Sequence, residues 1–118
     1  MKRLLPLLLI AAPAFAEEPV IEDVAITKTG DDTYRFSVTI RHPDTGWDHY
    51  ADGWRVLDMD GNELGMRVLF HPHENEQPFT RSLDGVVIPA GTTEVQVQAR
   101  DLPKGWNEGT TIVPLPGS

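Results

Sequence analysis

Apolar and polar residues alternate along most of the chain with a period of two. The cleanest run is Tyr34-Arg-Phe-Ser-Val-Thr-Ile40, where Tyr34, Phe36, Val38 and Ile40 share one face and Arg35, Ser37 and Thr39 the other. Such a run describes a strand of antiparallel sheet with one face on a core and one in water. Val20, Val24 and Ile26 alternate with polar residues before it. Trp54 to Met59 and Leu64 to Phe70 flank Asp60-Gly61-Asn62-Glu63, a turn-forming cluster that predicts a hairpin. Phe79 to Ile88 is a longer extended stretch, and Asp84-Gly85 within it predicts a bulge. Glu94 to Arg100 alternates again, and Thr110 to Leu115 completes the pattern.

No segment keeps the 3.6-residue period of a helix. Seven short strands in about 100 residues predict an all-β, antiparallel sandwich. Strand count, turn spacing and the passage Ile88-Pro-Ala-Gly-Thr-Thr-Glu-Val-Gln-Val-Gln-Ala-Arg100 resemble an immunoglobulin-like or fibronectin type III-like domain. The resemblance covers fold alone, and so widely used a fold implies no activity.

Successive connections in such a sandwich alternate between its two ends. One end is plain: Thr29 to Thr33, Asp60 to Glu63 and Pro89 to Thr93 are short turns. The other end carries His42 to Gly53, His71 to Pro78 and Asp101 to Gly109. All four histidines (His42, His49, His71 and His73) fall there, with Trp47, Tyr50 and Trp106. Loops on a rigid scaffold are the usual place for binding residues.

The N-terminus changes where this domain is expected to work. Met1-Lys2-Arg3 is a positive n-region, Leu4 to Ala12 an apolar h-region, and Ala14-Phe15-Ala16 a small-x-small cleavage site. Residues 1–16 are therefore expected to be a cleavable signal peptide, and residues 17–118 one sandwich domain in a bacterial periplasm. The apolar stretch is far below the roughly 20 residues of a spanning helix. There is no cysteine, hence no thiol for a lipid, a disulfide or a thiolate metal site.

The chain has 10 basic and 18 acidic side chains, and removing Lys2 and Arg3 makes the balance more negative still. Nucleic-acid phosphates and anionic lipid headgroups repel such a protein. Cations, neutral small molecules and other proteins remain.

Three kinds of ligand fit the loaded end. Trp47, Asp48, His49, Tyr50 and Trp106 suit a partner protein, expected to be another envelope protein, since aromatic side chains anchor interfaces. His49, His71, His73 and Glu76 suit copper or another divalent transition metal, because His71-Pro-His73 puts two imidazoles on one face of an extended segment. The same aromatics could stack on a sugar or another small molecule. Catalysis is not expected: Ser37, Ser82 and Ser118 have no G-x-S-x-G setting, and H-E-x-x-H is absent.

Overall fold

The computed structural model describes residues 18–117. The expected signal peptide over residues 1–16 lies outside them. Eight strands follow in order: β1 (Val20–Lys28), β2 (Thr33–Arg41), β3 (Tyr50–Leu57), β4 (Glu63–Val68), β5 (Phe79–Val87), β6 (Glu94–Leu102), β7 (Gly105–Trp106) and β8 (Thr111–Pro114). The one beyond the expected seven is β7, a two-residue strand. One sheet has the order β1-β2-β5; the second has β4-β3-β6-β7, with β8 also on β6. Every pairing is antiparallel.

The inner faces meet as the alternation requires. Tyr34, Phe36, Val38 and Ile40 of β2 are buried with Trp54 and Val56 of β3 and Val95 and Val97 of β6. On the outer face of β2, hydroxyls pair across to β5: Ser37 with Ser82 and Thr39 with Thr80, both at 2.7 Å. The β5 bulge occurs where expected. Tyr34 faces Val86 but Phe36 faces Leu83, so β5 carries one extra residue there. Gly85 takes φ +68°, a conformation costly for a side-chain-bearing residue. The β3–β4 hairpin is closed by Asp58, whose Oδ1 accepts from the backbone amides of Asp60 (2.9 Å) and Asn62 (2.8 Å).

Strand β3 differs from expectation in its start. It begins at Tyr50 rather than Trp54, because Tyr50 and Ala51 pair with Leu102 and Asp101 of a β6 that also runs past Arg100. A bulge between Ala51 and Gly53 restores the register. This extra pairing brings the last β2–β3 loop residues against the end of β6, where the site forms.

Candidate functional site

The inward parity of the strands does not stop at their apolar residues. His42 and Asp44 continue the sequence Tyr34, Phe36, Val38, Ile40, and Asp101 continues Val95, Val97, Ala99. All three are buried. A buried charge needs partners, and these three supply one another. His42 Nδ1 lies 2.5 Å from Asp44 Oδ1, and His42 Nε2 lies 3.0 Å from Asp101 Oδ2. Asp44 also accepts from the backbone amides of Ala51 (3.0 Å) and His73 (2.8 Å). The His42 amide donates to Gln77 Oε1 (2.9 Å), and Gln77 Nε2 donates to the His73 carbonyl (2.9 Å). The β2–β3 loop, the β4–β5 loop and the end of β6 are thus fastened to one polar centre.

Burial pushes the His42 imidazole towards its neutral form. The hydrogen bonds and charges of Asp44 and Asp101 outweigh that, and its pKa is raised. For Asp44, burial favours the neutral acid, but the hydrogen bonds from His42, His73 and Ala51 prevail and its pKa is lowered. Asp101 and His49 are the other titratable side chains at the His42 ring. In metal-free protein the raised His42 value adds stability below about pH 6.5, lost as pH climbs through the folded pKa. The lowered Asp44 value adds stability above about pH 4, lost as pH falls through its folded pKa. Thermal unfolding across pH 3–9 is expected to show the highest Tm between roughly pH 4 and 6.5. A Tm rising steadily from pH 5 to pH 8 would contradict the signs assigned to the pair.

His49 joins this centre. Its backbone is held by a tight turn, with Thr45 N donating to His49 O (3.0 Å) and His49 N to Gly46 O (3.2 Å). Its ring tilts against His42, centroids 4.7 Å apart. His49 Nε2 is buried, lacks a hydrogen-bond partner, and lies 3.8 Å from Asp101 Oδ2.

The other sequence-selected ligands gather elsewhere. His73 stacks on Phe79, centroids 3.9 Å apart and planes 9° apart. Its Nε2 lies 3.0 Å from Arg81 Nη2, which also donates to Glu76 Oε1 (3.2 Å). Burial lowers the His73 pKa, with help from the charges of Arg81 and His71. His71 is exposed, its ring 4.6 Å from that of His73 and its Nδ1 3.1 Å from the Pro72 carbonyl. His71, His73 and Glu76 are therefore neighbours, but the guanidinium of Arg81 occupies both His73 Nε2 and Glu76. The four-residue set His49, His71, His73 and Glu76 is divided in two.

The aromatics divide as well. Trp47 is 67% exposed and meets the largely buried Tyr50 edge-on at 5.8 Å. Asp48 beside it is exposed. Phe70, which the sequence pattern had put at the end of a strand, lies beyond β4 at the same end and is 73% exposed. Trp106 departs from the loop group. On β7, paired opposite Arg100, it lies under Arg55 (3.9 Å from guanidinium carbon to ring centroid) with Arg100 at 5.2 Å. It covers the outer face of the five-stranded sheet rather than the sandwich end. Asp44, Asp101, Arg81 and Phe70 were not singled out from sequence. For Asp44 and Asp101 a signal was present, namely the strand parity carried past the last apolar residue.

Comparison with known proteins yields one informative similarity. Over 96 residues, 81% of this chain, the sequence is 40% identical to a Halomicrobium mukohataei protein named "Putative lipoprotein". The chain spans about half (47%) of that relative's length. No protein-family model matches the sequence. No solved structure matches it.

Proposed function

We propose that the protein is an exported envelope protein, a binding module that engages another envelope protein through the β2–β3 and β4–β5 loops. The observation that carries this reading is the exposure of Trp47 and Phe70 on loops tied down by a buried hydrogen-bond centre. Large aromatics exposed on ordered loops gain much buried area on binding at little cost in lost motion. Exposed Asp48, Glu74 and Glu76 lie in the same loops, so the partner's rim is expected to be basic. Export rests on the leader pattern, and the name of the Halomicrobium relative supports an envelope location. Among the described residues no helix is long and apolar enough to cross a membrane.

The pairings β2 with β5, β3 with β6 and β6 with β8 support the immunoglobulin-like reading of the fold. They match the B–E, C–F and F–G neighbours of such domains, with β4 on the β3 edge.

Site-specific photo-crosslinking in the native envelope tests the binding reading. A crosslinker at position 47 is expected to give one discrete adduct, and one at Gly61, in the β3–β4 turn, none. Equal labelling from both positions, or none from 47, would refute it. Trp47→Ala should leave Tm within about 4 °C of wild type, since an exposed side chain contributes within about 0.5 kcal/mol to folding, while abolishing the adduct of a crosslinker at Phe70.

A further inference from the structure

We propose that His42 Nε2, His49 Nε2 and Asp101 Oδ2 form a binding site for one divalent transition-metal ion, with Cu²⁺ held tightest. The three ligand atoms lie within 4.8 Å of one another, at 3.0 Å for His42–Asp101 and 3.8 Å for His49–Asp101. Metal–ligand bonds of about 2.0–2.2 Å in a tetrahedron put ligand atoms about 3.3–3.5 Å apart. The two edges to Asp101 are within a few tenths of an ångström of that range, and the His42–His49 edge is no longer than 4.8 Å.

Three further features point to an ion. His42 presents Nε2 to the site because Nδ1 is engaged by the Asp44 carboxylate, itself fixed by two backbone amides. A carboxylate behind an imidazole is the usual arrangement for a metal-ligating histidine, since it sets the tautomer and makes the ring a stronger donor. His49 Nε2 is buried towards Asp101 with no hydrogen bond, an atom that coordination would satisfy. The charge balance agrees. Asp44 and Asp101 bring two negative charges into a buried place, and among the described residues their only ion-pair partners are histidines. A divalent ion neutralises both.

The donor set of two imidazoles and one carboxylate, with no thiolate, suits copper, zinc and their neighbours in the first transition row. Among these, affinity for such a site rises to Cu²⁺ and falls again at Zn²⁺. Three protein ligands leave a fourth tetrahedral position for water or another donor. The set shares only His49 with the four-residue set expected from sequence, and it stands whether or not Trp47 binds a partner.

Calorimetric titration of the exported protein with Cu²⁺ alone, and separately with Zn²⁺, tests the site. One ion per chain is expected, with Cu²⁺ tighter than Zn²⁺. His49→Gln should weaken Cu²⁺ binding by at least about tenfold, since even losing a partner that only supports a ligand costs about 10–100-fold. The His49 ring makes no hydrogen bond, so this variant should keep the wild-type circular dichroism. His71→Gln should bind as wild type does. Paramagnetic resonance of the Cu²⁺ complex needs no variant: coupling to two imidazole nitrogens is expected, and should persist in His71→Gln. Several weakly bound ions, unchanged affinity in His49→Gln, or loss of the two-nitrogen signal in His71→Gln would each overturn the proposal.

Discussion

Asp44→Ala is expected to cost about 3–5 kcal/mol of folding stability, as breaking a buried charge pair does. The reason is that one carboxylate serves three donors. It accepts from the His42 ring and from the backbone amides of Ala51 and His73, and all of these are shut off from water. Truncation leaves two amides and an imidazole with no acceptor, and each stranded donor carries a desolvation penalty of about 1–3 kcal/mol. Asp44→Asn keeps one carbonyl acceptor but puts an amide group beside a donor, so a smaller loss is expected. Urea unfolding of the three proteins measures both. A cost for Asp44→Ala below about 1 kcal/mol would mean that water replaces the carboxylate and that the loops are not anchored through it.

Phe36→Ala is expected to be comparably severe, at about 3–5 kcal/mol, for a different reason. Phe36 is fully buried at the centre of β2, facing the inner sides of β3 and β6. Removing the ring forfeits its transfer energy and leaves a cavity that two clamped sheets cannot close. Thr39→Ala, on the opposite face of the same strand, loses a single hydroxyl contact with Thr80. Its cost should stay below about 1 kcal/mol, the scale of one cross-strand pair. Equal losses at both positions would reverse the assignment of the faces. Such losses are a large part of the roughly 5–15 kcal/mol that holds a domain folded.

Most of the sandwich is legible from alternation because burial of one face imposes a strict period of two. That is why Tyr34 to Ile40, Val95 and Val97 read directly, and why the Asp84-Gly85 bulge and the Asp60-Gly61 turn stood out as interruptions. The start of β3 did not read, since Tyr50 to Gly53 contains a bulge and an Asp, which break the alternation. Its pairing with Asp101 and Leu102 is a long-range event with no local signature. The site was legible only in outline. Gathering the histidines at one end follows from strand reversal, but their grouping follows from which polar side chains are buried.

In the sequence His42, Asp44 and Asp101 are ordinary polar residues of the loops at the loaded end. Their role appears when inward parity is carried beyond Ile40 and Ala99. Arg81 does not pair with His73 and Glu76 in the sequence pattern, because it stands on β5 while the other two lie in a loop with no regular period. The sequence pattern does not place Trp106 on a sheet, because β7, at two residues, is too short to show alternation.

The loaded end is held as one body through Asp44 rather than as three independent loops. Amide hydrogen exchange at Ala51 and His73 tests this most directly, since both amides donate to that carboxylate from different parts of the chain. In the wild-type protein both are expected to exchange as slowly as the β2 core amides, through the same global opening. In Asp44→Asn both should accelerate together, while Phe36 and Val38 stay slow. Loop-like exchange of the His73 amide in the wild type, or acceleration of one amide without the other, would contradict the account.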